Sequence, residues 1–165
     1  MPLASIAEYV LRAIGFAAIV CALCFCIALI RKKWIRTLDL LAIGYVAALT
    51  EIIALRLHTS PVARTIQWIP LKTTLEECAA GWWSAVYHIG GNVAWFVPLG
   101  MILAWKKPAW GLLRICAVSA LFSASLEMLQ FALSTGMTDI DDVLLNAFGA
   151  FLGALYLRHR SCTAR

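Results

Sequence analysis

Charge is what this chain has least of. Only 14% of its 165 residues are Asp, Glu, Lys or Arg, while 62% are apolar and the mean hydropathy is +0.84. No repeat and no low-complexity segment breaks the pattern. The six cysteines supply no disulfide framework: Cys21, Cys24 and Cys26 crowd one apolar run, where thiols bury as small hydrophobes, and Cys78, Cys116 and Cys162 are scattered. H-E-x-x-H, G-x-S-x-G and the P-loop are all missing, so no familiar catalytic signature is present. The net charge of +5 forms no nucleic-acid footprint, because the cations sit in short clusters between apolar runs.

What is present is length without charge. A membrane-crossing helix needs about 20 mainly apolar residues, and five such segments can be drawn, at about Tyr9–Ile30, Leu38–Leu57, Val86–Trp105, Trp110–Leu133 and Asp142–Leu157. The fold class is therefore all-α, a polytopic membrane bundle of about five transmembrane helices, read as one integral membrane domain over 1–165. The first run is read as a retained helix rather than a cleaved leader, because its basic residues follow it and no small-residue cleavage site precedes them. Arg31, Lys32, Lys33 and Arg36, then Lys106 and Lys107, then Arg158, Arg160 and Arg165 all fall on one side of a five-helix path. By the positive-inside rule that side is cytoplasmic, which places the N-terminus outside, the C-terminus inside and the acidic D-I-D-D stretch outside a plasma membrane.

Between the second and third spans, Thr73 with Glu76 and Thr74 with Glu77 form two overlapping capping boxes, so a short outer-surface helix is expected from there towards Trp82 and Trp83. Pro98 interrupts the third span and should kink it. Gly149 and Gly153 make a small-xxx-small pair on the last span, suited to close helix packing and to a homo-oligomer contact.

Intramembrane polar residues are costly unless they pair, stay wet or bind something. His88 and Asn92 share a face of the third span, Glu127 and Gln130 lie in the last turns of the fourth, and Asp142 and Asn146 share a face of the fifth. The topology brings these to one depth, with Asp139 and Asp141 as a rim above. The expected ligand-binding set is Asn92, Glu127, Gln130, Asp139, Asp141, Asp142 and Asn146, with Arg56 of the second span as counter-charge. Glu51 could share a face with His58. Glu127, Asp142 and His88 are the candidate catalytic groups, and Asp139, Asp142 and Glu127 the candidate ligands for a divalent cation, the one cofactor that oxygen donors suggest. Taken singly, each residue has a plainer role as interhelical glue, an interface histidine or a helix cap. Together they point to a site.

These residues resemble the VanZ-like membrane proteins. H-I-G-G-N-V-A-W-F-V-P-L-G (88–100), E-x-x-Q (127–130), T-D-I-D-D-V-L-L-N-A-F-G-A-F-L-G (138–153) and I-P-L-K-T-T (69–74) look like the family's motifs, in order, over about 50–156. By that resemblance Asn92, Pro98, Gly100, Glu127, Gln130, Asp139, Asp142, Asn146 and Gly149 fall on characteristic positions. One departure stands out: many members carry an arginine shortly before the first aspartate, where this chain has Gly136-Met137-Thr138. The family takes its name from a protein linked to reduced teicoplanin susceptibility, and its members generally lack an assigned reaction. The resemblance thus implies the cell envelope. The expected function is binding or shielding of an envelope lipid, cation or lipid-linked wall precursor. The alternatives are an enzyme using the Glu127 and Asp142 carboxylates on a lipid-linked substrate, and an ion-coupled transporter or transporter subunit.

Overall fold

A computed structural model describes residues 3–31, 36–55 and 64–163. The protein is all-α, with five helices long and apolar enough to cross a membrane: Leu11–Ile30, Thr37–Ala54, Trp82–Lys106, Leu112–Leu133 and Ile140–Ser161. The five expected spans are present, with the third beginning four residues earlier than hydropathy alone placed it. The described residues group into two compact units, Met1–Ser60 and Pro61–Arg165.

The first unit pairs α1 (Leu3–Ile30) with α2 (Thr37–Thr50), which continues as a π-helical turn over Glu51–Leu55. Cys21 is half-buried at this contact. Its thiol donates to the Leu40 carbonyl at 3.2 Å, and Gly44 leaves room for the sulfur. Glu51 is buried on the α2 side. Its expected neighbour His58, like Arg56, lies outside the described residues.

The second unit carries the rest. A two-residue strand, β1 (Ile66–Gln67), leads into the short helix α3 (Lys72–Ala80). Gly81, at φ +136°, breaks the chain between α3 and α4 (Trp82–Ala85), a conformation that favours glycine. From α4 the helix passes through a π-helical turn at Val86–Gly90 into α5 (Gly91–Lys106), which carries Pro98 in its interior without ending there. α6 (Leu112–Leu133) returns, β2 (Thr138–Asp139) pairs in parallel with β1, and α7 (Ile140–Thr163) completes the unit. Trp68, Trp82, Trp83 and Tyr87 are exposed at the end where α5 and α7 begin, as suits aromatic rings at headgroup level.

α5 and α7 run parallel and touch backbone to backbone. A Cβ on Gly149 would collide with the Val93 carbonyl, one on Gly153 with that of Val97, and one on Gly100 with that of Ala150. The close contact expected of Gly149 and Gly153 is thus made within the chain, and α5 occupies the face that a homo-oligomer contact through these glycines would need. At the far end Ala104, Ile115 and Ala154 pack with Leu103, Trp110, Leu112 and Leu157 into an apolar plug. Gly149→Ala should cost about 1–3 kcal/mol by overpacking and lower the unfolding temperature in detergent. Gly91→Ala, where nothing lies within 4 Å of the new methyl, should gain about 0.5–1 kcal/mol from helix propensity.

Candidate functional site

The site is built where α6 ends and α7 begins. Ser134 adopts a left-handed conformation (φ 55°) that stops α6, and the Thr135 N–H closes back onto the Gln130 carbonyl at 3.1 Å. Arg64, just before β1, secures this turn. Its Nε donates to Ser134 Oγ at 2.9 Å, one terminal nitrogen donates to the Ala132 carbonyl at 3.2 Å, and the guanidinium lies over the Phe131 ring. The β1–β2 pairing, Ile66 with Thr138 and Gln67 with Asp139, then ties the 64–80 segment across the turn as a strap.

Three aspartates at the start of α7 meet three different partners. Asp139 is the N-cap: its Oδ1 accepts the Asp141 N–H at 2.9 Å. Its own N–H donates to Glu127 Oε2 at 3.0 Å, while Thr138 Oγ1 donates to the Glu127 carbonyl at 3.1 Å. Asp141 turns to the strap and takes two backbone bonds, from Leu71 N–H at 2.5 Å and Thr74 N–H at 2.9 Å. It is therefore the N-terminal cap of α3, supplied from another helix. The capping boxes expected at Thr73 and Thr74 do not form, because the helix starts at Lys72 after Leu71 in a left-handed conformation (φ 65°), with no side-chain cap of its own. Asp142 turns to α5, where its Oδ1 accepts from Asn92 Nδ2 at 2.8 Å and lies 3.8 Å from His88 Nδ1. Asn92 also donates to the His88 carbonyl within the π-helical turn.

The single convergent site expected from the sequence is therefore divided. One niche, between α6 and α7, holds Glu127, Gln130, Asp139 and Asn146, all at most 2% exposed. Asn146 Nδ2 donates to Ser123 Oγ at 2.7 Å. The other, between α3, α5 and α7, holds His88, Asn92, Asp141 and Asp142. Asp139 and Asp141 form no solvated rim, because the strap and the α6–α7 turn bury both. Glu127, Asp139 and Asp142 do not converge as metal ligands. Glu127 meets the backbone N–H of Asp139 rather than its carboxylate, Asp142 faces away towards α5, and among the described residues no group of three His, Cys, Asp or Glu side chains could hold a metal ion. Arg56, the expected counter-charge, lies outside the described residues.

Sequence reasoning passed over Ser119, Ser123 and Arg64. The first two precede Glu127 at four-residue spacing, a visible signal. Arg64 acts 70 residues away in sequence, and no local pattern announces it.

Several polar atoms keep unspent capacity. Asp139 Oδ2, Asn146 Oδ1, Ser119 Oγ and His88 Nε2 are buried with no hydrogen-bond partner among the described residues. By contrast both Asp141 oxygens are engaged, so its role is to hold the strap. Hydrogen bonds to a charged acceptor contribute about 1.5–3 kcal/mol each. Asp141→Ala should therefore loosen the strap and speed trypsin cleavage after Lys72, whereas Asp142→Ala should leave that rate near wild type.

The VanZ/LLP1 family model matches residues 40–160. The chain is similar to Protein VanZ of Enterococcus faecium, 39% identical over 62 residues, which is 38% of this chain and 38% of that protein's length. No solved structure matches. The family match spans both the α3 strap and the α6–α7 niche, and on that ground the chain belongs to the VanZ/LLP1 family.

Proposed function

We propose that this chain is a cell-envelope protein of the plasma membrane whose α6–α7 niche binds the amine-bearing end of an envelope lipid or lipid-linked wall precursor, and that by holding it the protein lowers susceptibility to lipoglycopeptides such as teicoplanin. The observation that carries the proposal is the pair of buried acceptors, Asp139 Oδ2 and Asn146 Oδ1, that no described residue satisfies. A buried acceptor costs free energy unless a donor meets it. A group with several N–H donors and a positive charge suits a niche that also holds the Glu127 carboxylate. A bare phosphate does not, since it would be repelled by the same carboxylates. With the N-terminus outside and the C-terminus in the cytoplasm, as the positive-inside rule favours, the niche lies on the outer-leaflet side, beneath the strap. The similarity to Protein VanZ supports an envelope role.

A second reading is favoured by one specific feature. His88 presents Nδ1 to Asp142, while its buried Nε2 has no hydrogen-bond partner among the described residues. An imidazole oriented by a carboxylate, with its other nitrogen available, is the arrangement of a general base. It would serve an enzyme acting on a lipid-linked substrate, with Asp142 in the positioning role. Transport ranks third, because the polar face of α6 gives way to the apolar plug at Ile115.

The test is mass spectrometry of the protein gently extracted with its lipids, wild type beside a Glu127→Gln, Asp139→Asn variant. The wild type should retain an amine-bearing lipid that the variant loses, with affinity lowered on the order of tenfold or more, the equivalent of one charge-assisted bond. Teicoplanin susceptibility should rise in the same variant at equal expression. Retention of the same bulk phospholipid by both proteins would remove the binding reading, and a His88→Gln strain would then be compared with wild type for altered lipid-linked products.

A further inference from the structure

We infer that a file of ordered water runs along the α6–α7 seam from the start of α7 down to Ser119 and ends blind against Ile115. The starting point is Ser119, which is 0% exposed and whose hydroxyl has no hydrogen-bond partner among the described residues. A serine in a membrane helix ordinarily satisfies its hydroxyl on the carbonyl one turn earlier. Ser125 does so with Leu121 at 2.8 Å, and Ser161 with Leu157 at 2.9 Å. Ser119 does not, although it lies in the same regular helix.

Ser119 is the deepest member of a row. Ser119, Ser123 and Glu127 are spaced by four, so they drift only about 40° per step and stay on one face of α6, with Ser119 about 12 Å further along the axis than Glu127. α7 lines the other side. Asn146 uses its amide nitrogen on Ser123 and leaves Oδ1 unspent, and Asp139 leaves Oδ2 unspent at the mouth. The unsatisfied atoms therefore fall in order along one seam, at its top, middle and bottom. Buried polar groups in native proteins are almost always paired with protein or with ordered water, and a buried water takes two to four polar partners. Facing hydroxyl, amide and carboxylate groups from two helices meet that requirement.

The seam is bounded. Towards α5 the backbone contacts at Gly149 and Gly153 leave no gap. Below Ser119 the next position on the same face is Ile115, which with Ala104 and Ala154 forms the apolar plug. The file is a dead end rather than a conducting path. Its place in the protein's work is hydration: the Asp139 and Asn146 acceptors sit against water while the strap covers them, and an incoming donor replaces a water there.

The experiment is water-edited solid-state NMR on the full chain in phosphatidylcholine bilayers, whose quaternary headgroup has no N–H to offer and so leaves the amine-binding proposal out of the measurement. Magnetisation from water should reach Asn146 and Ser119 nearly as fast as exposed Met137, and much faster than Ile115 and Ala150. In Ser119→Val the transfer at position 119 should fall to the level of Ile115 while Asn146 keeps its own. The inference is overturned if Ser119 lags with Ile115 in the wild type, as it would if its hydroxyl turned to the Ile115 carbonyl. It is equally overturned if transfer stops at Asn146, or if Ile115 proves as wet as Ser119.

Discussion

Helices α5 and α7 meet with no side chain between them, and most of what surrounds the niche depends on that contact. Gly149 and Gly153 seat the Val93 and Val97 carbonyls, and Gly100 seats that of Ala150. A helix packed through its backbone cannot rotate without a clash, so the direction of every side chain at the start of α7 is set by glycines two to four turns further on. Asp142 then faces Asn92, Asp141 faces the start of α3, and Asn146 faces Ser123. Small residues at the interface permit the approach in the first place, since lipid supplies no hydrophobic force to press helices together.

Within this frame the acidic motif is mostly architecture. Asp141 spends both oxygens on α3 and Asp142 engages α5, while Asp139 spends one oxygen as the cap of its own helix. The second oxygen of Asp139 and the Asn146 carbonyl, without a hydrogen-bond partner among the described residues, point to something further in the α6–α7 niche. The sequence has no arginine just before these aspartates. Arg64 reaches the preceding turn from another segment, anchored on Ser134 and the Ala132 carbonyl. It braces the turn where α6 ends, and no contact places it against the Asp139 carboxylate.

The spans were legible because length and apolarity alone define them, and Glu127, Asp142 and Asn146 because polar groups are rare at that depth. The glycine pair was legible by its spacing. The division into two niches was not, because the 100° step of a helix tells which residues share a face but not which neighbour that face will meet. The local Thr-x-x-Glu pattern misled for a related reason. A carboxylate about 70 residues away in sequence took the Leu71 and Thr74 N–H groups instead and settled the start of α3 at Lys72. Ser119 and Ser123 were passed over in the sequence, and the structure shows Ser123 bonded to Asn146 and the Ser119 hydroxyl without its usual carbonyl.

The strap has a consequence for how the protein is made. Residues 64–80 leave the ribosome long before the groups that hold them, since Ser134, Thr138 and Asp141 follow about 70 residues later. Pairing across such a sequence separation is entropically late, and here it waits until the last span has been synthesised. Assembly of the niche therefore serves as a check on biogenesis: a chain truncated before α7, or one whose last helix fails to insert, leaves the strap's Leu71 and Thr74 amides uncapped and Trp68 without a fixed position.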